Sequence, residues 1–196
     1  MKKNVLWTII IIAGLAILGL WMAKGYNQMV ETQENVENAW GDVENQYQRR
    51  MDLIPNLVAV VKGYASHEKE TLEGVINARA KATQITVNAE NLTEEQLKQF
   101  QAAQGELSQA LGRLMAVAEA YPDLKANENF MQLQEQLEGT ENRITAARRN
   151  FNDQASAYNK LIRKFPNNIV ASIFGFEKKP YFEAEAGAER APKVEF

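Results

Sequence analysis

Apolar side chains recur every three, four or seven residues along most of the chain, which is the spacing of one buried face of an α-helix. The first stripe consists of Tyr26, Met29, Val36, Trp40, Val43 and Tyr47. Further stripes follow it, and the last runs from Phe130 to Ile162. The sequence shows no strand-like alternation of apolar and polar residues over any useful length. The pattern therefore predicts an all-α fold.

A continuous apolar run precedes these stripes. Val5 to Ala23 carry no charged side chain, and as a helix they span roughly 28 Å, about the thickness of a bilayer core. Trp7 and Trp21 lie near its two ends, where amphipathic rings favour the interface. The run is too long for a signal peptide, and cleavage after Ala23 would place Trp21 where a small residue is needed. We therefore predict a retained, single-pass transmembrane helix.

The few charges that flank this run set an expected orientation. The amino terminus, Lys2 and Lys3 precede it, and Lys24 is the single basic residue between it and Arg49. Because basic residues are enriched on the cytoplasmic side, we expect the N-terminus in the cytoplasm and the main domain outside a bacterial inner (cytoplasmic) membrane. The difference is about two charges, so the reverse orientation stays open.

The stretch YQRRMDLIPNLV, residues 47–58, places a proline in the helical pattern. A turn at 50–54 is favoured because Arg49 and Arg50 suit the negative end of a helix, while Asp52 suits an N-cap. Pro55 would then lie in the first turn of the next helix, where its missing N–H is tolerated. A continuous helix to residue 87 would be roughly 95 Å long, more than the other helices could cover. The apolar stripe stays in phase through Pro55, so a kinked single helix is the alternative.

Local signals define the other boundaries. Thr93 followed by Gln96 matches a capping box, Asn127 suits an N-cap, and Phe165-Pro166 ends the last stripe. Four helices of about 28, 33, 27 and 37 residues then form an antiparallel up-down four-helix bundle after the transmembrane helix. The predicted domains are 1–24 for the N-terminal tail and anchor, 25–166 for the bundle, and 167–196 for a C-terminal tail. The first part of that tail is apolar, and its end is expected to be poorly ordered.

The amino-acid composition limits the kinds of functional site that the chain can form. The chain has no cysteine and one histidine, which excludes disulfides and thiol catalysis and argues against the usual zinc and di-iron sites. His67 and Glu68 begin HEKET, but Thr71 stands where a zinc-protease helix needs a second histidine. The net charge of −3 gives no case for nucleic-acid binding. We expect no metal, cofactor or small-molecule substrate.

Two arginine pairs are candidate interaction residues. Arg50 falls close to the apolar stripe, so we expect it to be partly buried and paired with a carboxylate. The candidate carboxylates are Asp52, Glu68 and Asp153. The alternative is an exposed bidentate site for a partner's carboxylate or phosphate. The full set of candidate interaction residues is Arg49, Arg50, Asp52, His67, Arg148 and Arg149.

The end of the last helix is basic, and the apolar stretch NIVASIFGF follows it at residues 168–176. In an up-down bundle this end returns to the bilayer. We hypothesise that basic side chains there face anionic headgroups and that apolar ones contact the interface. The basic residues are Lys160, Arg163 and Lys164, and the apolar residues are Ile169, Ile173, Phe174 and Phe176. The alternative is that this stretch packs back onto the bundle.

Four stretches carry a resemblance to a known family: YNQMV at 26–30, AWGDVENQYQRRMDLIPNLVAVVKGYASHE at 39–68, RRNFNDQASAYNKLIRKFP at 148–166, and GFEKKPYFE at 175–183. Through them the chain resembles the LemA family of bacterial membrane-anchored helical proteins. The resemblance implies an N-terminal transmembrane helix followed by a helical bundle. It implies no particular activity, because the family's biochemical role is not established. Some descriptions of the family place the short N-terminus outside, opposite to the expectation from charge.

These observations favour a non-enzymatic, membrane-anchored interaction or scaffold module of the bacterial cell envelope. The expected partners are the lipid bilayer and either another envelope protein or further copies of the same chain. The alternative, from a different class, is a ligand-binding or enzymatic bundle that uses Arg49, Arg50 and His67.

Overall fold

The computed structural model describes residues 2–183, and all regular structure in this range is helical. The helices are α1 (Lys2–Tyr64), α2 (Lys69–Gln84), α3 (Glu94–Ala118), α4 (Pro122–Lys125), α5 (Glu128–Arg163) and α6 (Asn167–Phe174). The predicted all-α fold is confirmed. The predicted poorly ordered end of the chain, within 184–196, lies outside the described residues, as do the side chains of Lys2, Lys3 and Val5.

The long helices α1 and α5 pack side by side in opposite directions. The ring of Trp40 on α1 lies 5.5 Å from that of Phe151 on α5. Further along α1, Arg50 lies 2.8 Å from Glu141, which comes earlier on α5. Residue numbers therefore rise on one helix as they fall on the other. The shorter α2 and α3 pack against each other and complete the predicted up-down bundle.

Contacts at the two ends of the bundle fix its course. At the far end of α1, the Tyr121 hydroxyl donates to Glu68 at 3.1 Å, which joins the turn after α1 to the connection between α3 and α5. At the other end α6 lies against α1, because a Cβ atom added at Gly25 would be 3.7 Å from Val170. The chain therefore goes out along α1, back along α2, out along α3 and back along α5.

The interior consists of two hydrophobic cores that follow one another along the bundle. The core nearer the predicted anchor, here the anchor-proximal core, includes Met29, Val36, Trp40, Val43, Tyr47, Phe100, Phe151, Tyr158, Ile162, Val170 and Phe182. The distal core includes Met51, Ile54, Leu57, Val61, Leu72, Val75, Leu107, Leu114, Leu124, Phe130 and Leu137. Helices α1, α3 and α5 contribute to both cores, so they run the length of the bundle.

The predicted turn at 50–54 is wrong, because α1 continues through Pro55 to Tyr64. A proline inside a helix removes the N–H that would bond to the carbonyl four residues earlier, here that of Met51. In the structure Arg79 of α2 donates its Nε to this carbonyl at 2.9 Å. The tertiary contact replaces the missing helical bond. Asp52, the predicted N-cap, lies inside the helix and accepts a bond from the Gln48 side chain at 2.7 Å.

The turn that reverses the chain lies at 65–68 instead. A helix that continued to residue 87 would be too long for the other helices to cover. Since α1 ends at Tyr64, its part beyond the predicted anchor is roughly 60 Å long. Helix α5 has 36 residues and a length of roughly 54 Å, so it can cover the apolar stripe of α1.

The bond from Arg79 to Met51 predicts a specific energetic coupling with Pro55. Arg79→Met keeps an unbranched apolar stem but leaves the Met51 carbonyl without a donor, so we expect the free energy of unfolding to fall by about 1–2 kcal/mol. In a Pro55→Ala background the new N–H of residue 55 bonds to that carbonyl, and the same change should cost less than about 0.5 kcal/mol. Denaturant unfolding of the detergent-solubilised chain, followed by circular dichroism, measures this double-mutant cycle. An equal cost in both backgrounds would show that Arg79 does not stabilise the helix by bonding to the Met51 carbonyl.

Two predicted helix caps are confirmed. The Thr93 side chain accepts from the backbone N–H of Gln96, and the Gln96 side chain accepts from that of Thr93, which is the capping box. The Asn127 side chain accepts from the Phe130 N–H at the start of α5. These bonds satisfy N–H groups that the first turn of a helix leaves without partners.

Candidate functional site

Arg50 is the centre of the candidate site. It lies on the buried face of α1, and its guanidinium group reaches towards α3 and α5. Nη1 donates to the Ser108 hydroxyl and to a Glu141 carboxylate oxygen, both at 2.8 Å. Nη2 donates to the backbone carbonyl of Gln104 at 3.3 Å and also to its side-chain oxygen. The Tyr47 ring of α1 lies 5.0 Å from the guanidinium carbon. Polar groups of α3 and α5, together with this ring, hold the cation in place.

The ion pair is buried on one side only. The Arg50 side chain is 2% exposed, whereas that of Glu141 is 43% exposed. The Arg50 Nε is buried and has no hydrogen-bond partner among the described residues. The carboxylate partner is Glu141, so the expectation of Asp52, Glu68 or Asp153 is wrong. The antiparallel packing of α1 and α5 brings together residues that are 91 positions apart, a pairing that local sequence signals do not specify.

An open groove of about 800 Å³ passes over this arginine. Its walls come from α1, α3 and α5 and from Glu183. The polar residues that line it include Arg50, Lys98, Gln101, Gln104, Ser108, Glu141 and Arg148. The lining combines both charge signs with amide groups, and Glu141 already neutralises Arg50. The groove therefore suits a polar segment that forms hydrogen bonds more than it suits a highly charged phosphate.

The structure divides the four candidate arginines into two kinds. Arg50 and Arg148 both line the groove, and Arg148 donates to the backbone carbonyl of Glu183 at 3.0 Å. Arg49 and Arg149 are exposed, and within residues 2–183 neither has a hydrogen-bond or ion-pair partner. Arg49 and Arg50 lie roughly 21 Å from the distal end of α1, because the chain reverses at 65–68 and not at the predicted turn at 50–54.

His67 lies apart from the arginines. It is exposed in the turn at 65–68, at the distal end of the bundle. The groove is lined by Arg50 and Arg148 but not by His67. The described residues also contain no group of three or more histidine, aspartate or glutamate side chains that could hold a metal ion. The structure therefore does not assemble the histidine and the arginines into one site.

Sequence reasoning missed a segment that closes the anchor-proximal core. Residues 175–183, here the tail segment, run along α5 and are held by two asparagines. Asn159 donates to the carbonyl of Lys179 at 2.8 Å and accepts from its N–H at 2.9 Å. Asn152 makes the same pair of bonds with Phe182, at 3.0 and 2.8 Å. The signal was present, because these asparagines are seven positions apart and so face the same side of α5.

The tail segment also joins the rest of the bundle. Lys179 is buried, and its ammonium group donates to the backbone carbonyls of Ala89 and Glu90 in the connection between α2 and α3. Burial lowers the pKa of Lys179. The Phe182 ring stacks on Trp40 at 5.9 Å. The segment therefore forms a wall of the core.

The residues predicted to face the membrane surface lie at the expected end of the bundle. Lys160, Arg163 and Lys164 are exposed. Phe174 is exposed as well, whereas Phe176 is half-buried with its ring 5.5 Å from that of Tyr26.

The described part of the chain contains one helix that, by its length and composition, could cross a membrane. It is α1, and the side chains of its most apolar window are not buried in the protein. An apolar surface of this kind is costly in water and favourable in a hydrocarbon layer.

The LemA family model matches residues 39–196. The chain is 28% identical over 181 residues to magnetosome protein MamQ 2 of Paramagnetospirillum magneticum, covering 84% of this chain and 66% of that protein. It is 29% identical over 180 residues to magnetosome protein MamQ of Magnetospirillum gryphiswaldense, covering 83% of this chain and 66% of that protein. It is 27% identical over 158 residues to protein LemA of Metamycoplasma hominis, covering 81% and 68%. The chain spans about two thirds of the length of the curated relatives it matches.

The family match includes α1 from Ala39 onward, the remaining helices and the tail segment. It therefore covers the groove, the distal core and the anchor-proximal core apart from Met29 and Val36. Together with the apolar first helix, it indicates a membrane-associated protein. The chain belongs to the LemA family.

Proposed function

We propose that this protein is a non-enzymatic, membrane-anchored interaction module of the bacterial cell envelope, which binds an acidic surface of a partner protein. The observation that supports this proposal is the division of the arginines. Arg50 and Arg148 are bonded within the bundle, whereas Arg49 and Arg149 are exposed without partners among the described residues. Exposed guanidinium groups bind carboxylates in a bidentate manner.

The two exposed arginines lie on α1 and α5, part-way along the bundle. The contacts of Trp40 with Phe151 and of Arg50 with Glu141 place Arg149 opposite the part of α1 that precedes Arg49. The separation along the bundle is about two helical turns. A partner that contacts both arginines would lie against the side of the domain, above the membrane surface.

The separation of His67 from the arginines supports this proposal over an enzymatic one. Acid–base chemistry needs the base and its orienting partner within hydrogen-bond distance of each other. His67 lies in the distal turn, and its neighbour Glu68 accepts from Tyr121. A binding module has no such requirement, and helical bundles commonly present their sides to partners.

Crosslinking of the full chain in intact cells tests the proposal. We expect a crosslinked partner protein with the wild type and at least about a fivefold loss of the adduct with Arg49→Ala/Arg149→Ala, since a central interface arginine contributes more than 1 kcal/mol. Arg113→Ala, which removes an exposed arginine on α3, is the matched control and should retain the adduct. A wild type without an adduct, or a double variant that keeps it, would refute the proposal.

A further inference from the structure

An apolar surface is exposed beside the point where α1 leaves the predicted anchor. Four side chains, here the anchor-side patch, form it: Phe165 is 82% exposed, Ile173 60%, Phe174 51% and Ile169 48%. Exposed apolar patches of this kind mark interaction surfaces. We propose that the anchor-side patch inserts into the interfacial layer of the same bilayer that α1 crosses, with the neighbouring basic side chains against anionic lipid headgroups.

The position of α6 along α1 sets its depth. The Phe174 ring lies 4.9 Å from that of Tyr26, and Trp21 and Met22 pack against the core that α6 helps to close. Trp21 and Tyr26 lie on either side of Ala23, where the uncharged run ends. Aromatic side chains at such an end lie at the level of the headgroups. Helix α6 is therefore at the depth where hydrocarbon gives way to the headgroup region.

Helix α6 has two apolar sides. Val170 and Ala171 are buried against the bundle, whereas Ile169 and Ile173, one turn apart, are exposed. The buried side accounts for the packing of α6 onto the bundle. The exposed side is stabilised only where it contacts another apolar environment. The bilayer is the adjacent apolar environment, since α1 holds α6 beside the bilayer. Contact with that bilayer is effectively intramolecular, so it avoids most of the entropy loss of a bimolecular association.

The charges around the patch favour an anionic bilayer over a second copy of the chain. Between residues 160 and 178 the exposed charged side chains are Lys160, Arg163, Lys164, Glu177 and Lys178. This excess of positive charge is attracted to anionic headgroups. In a two-fold dimer that covered the patch, the same basic side chains would face each other and repel.

The residues that contact the membrane surface then differ from the set expected from the sequence. Phe165 joins the set, because it is exposed at the end of α5. Phe176 has a supporting position, since it packs between Tyr26 and the core. Through α1 and α6 the domain would then have two attachments to one membrane. Two attachments would restrict its tilt and so define which side of the bundle faces a partner.

Site-directed spin labelling of the full chain tests this contact, because the sequence has no cysteine to remove. Nitroxides are attached to Ile173→Cys and, separately, Ile169→Cys in vesicles of equal parts phosphatidylcholine and phosphatidylglycerol. We expect both labels to be more accessible to oxygen than to a water-soluble nickel complex, at a depth of about 5–10 Å below the phosphates. Ser66→Cys in the distal turn is the control and should be fully accessible to nickel.

Two results would overturn the proposal. One is nickel accessibility at residues 169 and 173 equal to that at 66, with circular dichroism showing an intact fold. The other is spin–spin broadening between labels on different copies, which would mean that a second copy covers the patch.

A triple variant tests the role of the basic side chains. Lys160→Gln/Arg163→Gln/Lys164→Gln should make the labels shallower in these vesicles but not in phosphatidylcholine alone. An unchanged depth in both would refute the role of the anionic lipid.

Discussion

Glu141→Ala is expected to lower the free energy of unfolding by about 3 kcal/mol, because it leaves the Arg50 cation buried without a carboxylate. The Arg50 side chain is 2% exposed and cannot recover full hydration when Glu141 is removed. Ser108 and Gln104 still accept from the guanidinium group, which places the expected cost at the lower end of the range for broken buried pairs. Denaturant unfolding of the detergent-solubilised chain, followed by circular dichroism, measures the change.

Two comparisons make this prediction specific. In an Arg50→Met background the buried charge is absent, so Glu141→Ala should cost less than about 0.5 kcal/mol. The pair of Lys81 and Glu106 has a similar length, 2.7 Å, but its side chains are 58% and 50% exposed. Glu106→Ala should therefore cost less than about 1 kcal/mol. Equal costs for the two glutamates would show that burial of Arg50 does not determine the effect.

Phe182→Ala is expected to release the tail segment from the bundle, with a loss of about 3 kcal/mol in the free energy of docking. Phe182 is buried against Trp40 and Phe151, with ring separations of 5.9 and 5.4 Å. The tail segment lies outside the helices, so it can detach while the bundle stays folded. Amide hydrogen exchange reports this local opening. The N–H groups of Lys179 and Phe182 donate to asparagine side chains, and their protection should fall by about 100-fold.

The same segment provides a matched control. Tyr181 precedes Phe182 and is exposed, and its hydroxyl accepts a bond from Asn159 at 2.9 Å. Tyr181→Phe removes this one bond and should reduce the protection by no more than about tenfold. Unchanged protection in Phe182→Ala would mean that the asparagine bonds alone hold the segment. Release should also expose Trp40, which increases the quenching of its fluorescence by a soluble quencher.

Properties that depend on neighbours in the sequence could be predicted from the sequence alone. The helical class follows from apolar residues that share one face within each segment. The caps at Thr93 and Asn127 were also predictable, since the side chain and the N–H groups it accepts are three positions apart. Within residues 2–183, the uncharged run from Val5 to Ala23 identifies the one helix that is long and apolar enough to cross a membrane. Each of these signals is complete within a few turns of helix.

The candidate site was predictable only as a set of residue types. The proximity of Arg50 to the apolar stripe indicated burial, but its partners come from α3 and α5. The two asparagines on one face of α5 did not reveal that residues 175–183 bind them. The exposure of Arg49 and Arg149, next to arginines that are bonded internally, likewise depends on how the helices are rotated against each other.

At Pro55 the sequence by itself allowed two backbone structures, and the tertiary structure decided between them. The sequence determined that the helical bond to the Met51 carbonyl is lost, which allows either a turn or a continuous helix. Arg79, from the following helix, donates to that carbonyl and so removes the penalty of continuing. The physical reason is general: the sequence specifies which backbone and side-chain groups need partners, and the packing of distant segments decides which partners satisfy them.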